Sequence, residues 1–157
     1  MNVSAENRRR LSWLLSLSEK EVRHLQRTSA RVVALNPDLA WIRSLEENEN
    51  HSEMLEAFVS RYSRLQDTIG NILSALLAAT MEPPGTQLDN LSRAEKLGWV
   101  DSVERWIALR ELRNRLVHAY RESPEDLLEA LTEALESVET FVSSRTRMAG
   151  VARTLFT

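Results

Sequence analysis

Residues 51–80 read HSEMLEAFVSRYSRLQDTIGNILSALLAAT. Met54, Leu55, Phe58, Val59, Tyr62, Leu65, Ile69, Ile72, Leu73, Leu76 and Leu77 recur there at steps of three and four. At about 100° per residue, that spacing lines them along one stripe of a helix. A long helix with one apolar stripe must be covered by other elements, and the rest of the chain supplies only helices. No alternating run of β-branched residues occurs anywhere, so strands are not expected.

Glycine and proline are scarce and fall between the helical segments. A first helix is expected from about Ser4 to Ala34, with Ser18-Glu19-Lys20-Glu21 resembling a capping box where it could break. Asn36-Pro37 reads as a turn before a short helix, and MEPPGT after residue 80 stops the central one. A short helix is expected over about 87–97, with Gly98 as its C′ residue. Asp101-Ser102-Val103-Glu104 reads as a second capping box, opening the next helix. Ser123-Pro124 ends that helix and starts the last, with Ser as N-cap and Pro in the first turn. The last helix presents Leu127, Leu128, Leu131, Leu135, Val138, Phe141 and Val142 on one face. The sequence therefore predicts a single all-α domain over residues 1–157, a bundle of four main helices with short helices in the connections.

The 157 residues suffice for a core without disulfides or metals. With no cysteine, disulfide and thiol chemistry are excluded; a reducing compartment, the cytoplasm, is the expectation. No stretch approaches the roughly 20 apolar residues of a membrane span. The run after Arg8-Arg9-Arg10 is too broken by Ser16, Ser18 and Glu19 for a signal peptide. Net charge is −3, so the whole-molecule field does not favour nucleic acid. The distribution is more informative. Arg105, Arg110, Arg113, Arg115 and Arg121 stand against a single acid, Glu111. The next stretch, to Glu139, carries acids and no base. Arginine is the better bidentate partner for phosphate.

The basic stretch contains RELRNRLVHAY, residues 110–120. On a wheel centred on Arg113, Trp106, Leu109, Val117 and Tyr120 fall within about 40°. Leu112 and Leu116 extend this arc on one side, and Ile107, Asn114 and His118 on the other. The opposite face, with Glu104, Ala108, Glu111, Arg115, Ala119 and Glu122, reads as solvated. Arg113 and Tyr120 are thus expected inside the buried arc, with Asn114 and His118 on an adjacent stripe also turned from solvent. Singly, each has an ordinary explanation: a snorkelling Arg, a satisfied core His, a Tyr with its hydroxyl outward. Together they point to a cleft, a partner surface or a ligand site, since an unpaired buried arginine costs several kcal/mol.

Arg113, four residues, His118, one residue, Tyr120 resembles the R-x4-H-x-Y signature of HEPN domains, in the HepT-like branch. Asn114 matches the polar residue favoured after the Arg. The likeness extends over about residues 50–142: FVSRYSRLQDTIGNILSALL is similar to the family's central helix, and LDNLSRAEKLGWVDSVERWIALRELRNRLVHAY to its connection and motif helix. It is poor before Glu49, where a long N-terminal helix and a short helix are expected.

The resemblance implies a homodimer, with the two motifs facing across the interface. It implies a metal-independent endoribonuclease, the toxin of a type VII-like module. A separate minimal nucleotidyltransferase would act as antitoxin, in some systems by transferring AMP to the motif tyrosine, here Tyr120. In such cleavage the RNA 2′-hydroxyl attacks the adjacent phosphate. His118 is the motif's proton-transfer candidate, and Arg113 the cation for the developing phosphorane charge. Asn114 would orient one or the other. Arg110, Arg115, Arg121 and Arg64 are candidate RNA contacts. Arg61, Arg64 and Asp67 on the central helix read equally well as a solvated face. His24, His51 and His118 lack metal-ligand spacing and no Gly-rich phosphate loop occurs, so no metal or cofactor is expected. Two other readings stand beside the toxin: a non-catalytic interaction subunit of a nucleotidyltransferase, and a purely structural helical dimer.

Overall fold

The computed structural model describes residues 4–80 and 85–156, without the side chains of 120–122. It is an all-α bundle. Four long helices build it: α1 (Ala5–Ala34), α3 (Glu49–Ala79), α5 (Val103–Glu122) and α6 (Pro124–Phe156). Between them lie two short helices, α2 (Leu39–Arg43), continued by a 3-10 turn over Ser44–Glu46, and α4 (Gln87–Lys96). Among the described residues, no helix is long and apolar enough to cross a membrane.

Local chemistry sets most helix ends. Ser4 caps α1 through Asn7 N–H at 3.1 Å, and Asp38 caps α2 through Trp41 N–H at 2.8 Å. Asn36 takes φ 47°, a left-handed conformation asparagine tolerates, and so turns the chain after α1. Thr86 and Asp89 form a reciprocal capping box on α4. Gly98 follows α4 at φ 77°, as its place after the last apolar turn predicts; any Cβ there would be strained. Ser123 caps α6 by accepting from Asp126 N–H at 3.3 Å.

Two expectations are corrected. Ser18 does not break α1: its hydroxyl back-bonds to Leu15 C=O at 2.8 Å and accepts from Arg145 Nε at 2.9 Å. The second capping box does not form. Ser102 is the N-cap of α5, and the Val103 N–H goes to Glu95 of α4 at 2.6 Å. The last helix runs fourteen residues past Val142, to Phe156, burying Ser144, Met148 and Ala152 on the way. The chain after Ala79 was expected to break at MEPPGT; α3 does end there, capped by Thr80, while residues 81–84 lie outside the described part.

The predicted stripe of α3 is the core. Leu55, Phe58, Tyr62, Leu65, Ile69, Ile72, Leu73, Leu76 and Leu77 are all buried. Met54 and Val59 pack at its edge. α1 lies along one flank of α3, α6 covers it behind, and α5 packs mainly on α6 while reaching α3 near its middle. An aromatic chain crosses the bundle. Phe141 of α6 meets Tyr62 of α3 at 4.9 Å and Trp106 of α5 at 5.4 Å between ring centroids.

The Tyr62 hydroxyl is fully enclosed and bonds to Ser137 Oγ at 2.5 Å. Burial pushes its pKa up to about 12, outweighing the stabilisation of the phenolate by Ser137. An unfolded tyrosine ionises near pH 10. The stability this group lends is therefore complete below about pH 10 and is lost as pH rises from about 10 to 12, by roughly 2–3 kcal/mol. Urea midpoints at pH 9 and pH 11 should diverge more for the native chain than for Tyr62→Phe. Equal divergence would mean that the phenol is not held neutral by the fold.

Candidate functional site

α5 turns Trp106, Leu109, Leu112, Leu116 and Ala119 into the bundle. The centre of this arc lies about 60° from Arg113, between Leu109 and Leu116. Arg113 is therefore on the rim, its side chain about one-third exposed. It reaches across to α3 and grips Asp67 with two edges of its fork: NH1 to Oδ1 at 2.5 Å and NH2 to Oδ2 at 3.3 Å. NH1 also meets Gln66 Oε1 at 3.5 Å. Asp67 itself is 60% exposed, and Gln66 Nε2 is buried without a hydrogen-bond partner.

Beyond Arg113 the helix turns outward. Ile107, Arg110, Asn114, Val117 and His118 are exposed and share one stripe. This corrects the wheel reading for Asn114 and His118, which were expected away from solvent. It also corrects Val117, 43% exposed though placed near the centre of the buried arc, and Ala119, buried though placed on the solvated face. The reason is simple. Ile107 and Val117 look like core residues to a hydrophobicity wheel, but this chain alone does not cover them. The stripe combines two exposed apolar side chains with a His, an Asn and an Arg.

Arg110 thus stands with the motif residues. Arg115 does not: it lies on the other side of α5, paired with Glu133 of α6 at 2.5 Å. Arg105 is beside it, donating to Thr140 at 3.3 Å. The basic run of the sequence is therefore split between two faces. Tyr120 and Arg121 belong to the last turn of α5, but their side chains lie outside the described residues. Arg64 faces the α1 side of α3, one turn before Asp67, near Glu21.

The acid that holds the motif arginine, Asp67, stood in the sequence as a weaker site candidate that read equally well as one charge on a solvated face. Its partner is 46 residues away, and the one available signal was that it sits one turn after Arg64 on the edge of the α3 stripe. The other histidines are engaged elsewhere. His51 Nδ1 meets Trp41 Nε1 at 3.1 Å and Asn48 Nδ2 at 3.0 Å. His24 lies against Arg61, whose NH1 donates to Thr28 Oγ1 and to the His24 carbonyl. Among the described residues, no cluster of three or more His, Cys, Asp or Glu could hold a metal ion. Set against family models, curated proteins and solved structures, the chain matches none of them.

Proposed function

We propose that the chain is a HEPN-type endoribonuclease, the toxin of a two-component module, working as a homodimer in the cytoplasm. One observation carries the reading. Arg113, fixed on the rim of α5 by Asp67, adjoins an accessible stripe bearing Asn114 and His118. A bundle with only a structural task has no use for that set. Exposed Ile107 and Val117 on the same stripe favour a second copy meeting it there, so that two motifs share one cleft.

The chemistry follows from the side chains. The 2′-hydroxyl of RNA attacks the adjacent phosphorus and loses its proton to a base. The 5′-oxygen leaves with a proton from an acid, and a 2′,3′-cyclic phosphate remains. A histidine can serve as either partner, and a dimer supplies two. Arg113 faces the phosphorane. Its three contacts leave further N–H donors free for a phosphate oxygen. The pair with Asp67 is partly exposed, so exchanging it for phosphate costs no more than about 1 kcal/mol. Asp67 thus aims the guanidinium without locking it. Asn114, one turn before His118, orients the imidazole or the phosphate. Neutralisation by a minimal nucleotidyltransferase, through AMP on Tyr120 beside the motif, completes the reading.

The exposed apolar pair also suits an interaction subunit without chemistry, and one experiment separates the two readings. The chain is expressed alone and with a minimal nucleotidyltransferase encoded beside it, scoring growth, RNA integrity and intact mass. The expected result is a dimeric protein that arrests growth and degrades RNA when alone. With the partner it should gain AMP on the 116–121 peptide, absent in Tyr120→Phe. Unharmed growth with intact RNA in both cases would leave the two readings without chemistry, the interaction subunit and the structural dimer.

A further inference from the structure

The exposed face of α1 carries a long basic stripe. Arg9, Trp13, Lys20, His24, Arg27 and Arg31 fall within about 40° of Lys20 on a helical wheel. Arg61 and Arg64 of α3 face it across a groove of about 360 Å³, lined also by Leu17 and Glu21. Of the acids of α1, Glu19 and Glu21 are set aside from the stripe or spent. Glu19 pairs with Arg23 at 3.7 Å. Glu21 lies half-buried towards α3; burial raises its pKa, outweighing Thr68 and Arg64, and its Oε1 has no hydrogen-bond partner among the described residues. Glu6 falls on the stripe itself, about 40° from Lys20, in the first turn beyond Arg9. Partial desolvation, joined by the cations Arg61, Lys20, Arg27 and Arg23, holds the His24 pKa below the ordinary imidazole value. Trp13 stands on this stripe 63% exposed, whereas Trp41, Trp99 and Trp106 are at 8%, 6% and 4%.

We propose that this groove, with Trp13 at its end, binds single-stranded RNA and leads it to the α5 motif. A cationic groove that follows the backbone, with an aromatic face on which a base can stack, is how single strands are held without sequence readout. Arg9, one turn before the aromatic, and His24, within the groove, add planar contacts. A bilayer surface would need an apolar face, and here only Trp13 and Leu17 interrupt the charges. The path to the chemistry is short. Arg64 lines the groove, Asp67 follows one turn later on α3, and Asp67 grips Arg113. The proposal rests on the nuclease reading for its substrate, but it is tested by binding alone.

The test uses full-length His118→Ala and a fluorescein-labelled 12-mer oligouridylate, titrated at several salt concentrations, with ATP as a control ligand. Binding should quench tryptophan fluorescence, since the other three tryptophans are enclosed. Adding Trp13→Ala should weaken binding about tenfold and remove the quench, leaving the salt slope intact. Lys20→Glu with Arg64→Glu should weaken binding further and flatten the slope by about 1.4, two lost phosphate contacts on a single strand. All of these positions are exposed, and unchanged circular dichroism checks the fold. Oligouridylate binding unaffected by either change would overturn the proposal, even with cleavage intact. So would a groove that takes ATP and ignores RNA, or one that binds no RNA at low salt. RNA held on Trp13 by a chain that never cleaves would instead overturn the nuclease reading and keep the groove.

Discussion

On the proposed nuclease mechanism, replacing His118 with alanine should lower the RNA cleavage rate by about 10² to 10⁴, the usual worth of a positioned proton-transfer group. Arg113→Ala falls in a similar range, because the phosphorane loses its cation. Neither change should disturb the bundle. His118 is exposed, and exposed substitutions usually stay within about 0.5 kcal/mol. Asp67, 60% exposed, rehydrates when Arg113 is removed, at a cost below about 1 kcal/mol. Arg113→Lys keeps the charge but loses the fork, and should fall between native and alanine. Activity should persist in EDTA, because His118 and Arg113 supply the proton transfer and the charge. Single-turnover cleavage of a defined RNA, beside circular dichroism of each variant, measures all of this. Native rates in His118→Ala would remove the histidine from the mechanism, and loss of activity on chelation would replace the mechanism altogether.

Phe141→Ala carries the largest stability effect. The ring is fully buried and touches Tyr62 and Trp106, so it joins α6 to α3 and α5 at one point. Removing a buried phenyl typically costs about 3–5 kcal/mol, from lost burial and the cavity left behind. At about 2–4 °C per kcal/mol for a chain of this size, the melting temperature should fall by roughly 6–20 °C. Phe141→Leu fills most of the space and should lose much less. The site would feel the change, since Trp106 anchors the helix that carries Arg113 and Phe141 holds it to the helix that carries Asp67. A fall of less than about 2 °C in thermal melts would mean that the three helices are coupled elsewhere.

The central helix was legible because Leu55 through Leu77 repeat at helical spacing and are covered on one side only. Gly98, Ser123 and Pro124 were legible because backbone geometry admits few other residues at those positions. The orientation of α5 was not. A wheel orders side chains around an axis, but it cannot know which apolar residues a neighbour reaches. Ile107 and Val117 drew the estimated centre about 60° away from the true one, towards the motif. No end of α6 was legible, because Ser143, Ser144, Arg145 and Thr146 dilute the apolar pattern. Arg145 stays there by reaching back to α1, a contact no local window contains. The Asp67–Arg113 pair was hidden for the same reason, and Trp13 because its neighbours on the stripe, Arg9 and Lys20, are four and seven residues away rather than adjacent.

That clasp of Arg145 has a consequence for timing. It joins residues 127 and 130 positions apart in sequence, Ser18 and Leu15 on α1 to the second half of α6. During synthesis α1 emerges first and finds most of its cover in α3, while the Arg145 clasp can close only after α6 has followed. The groove between α1 and α3 can therefore form before the clasp that pins α1 to α6 is closed.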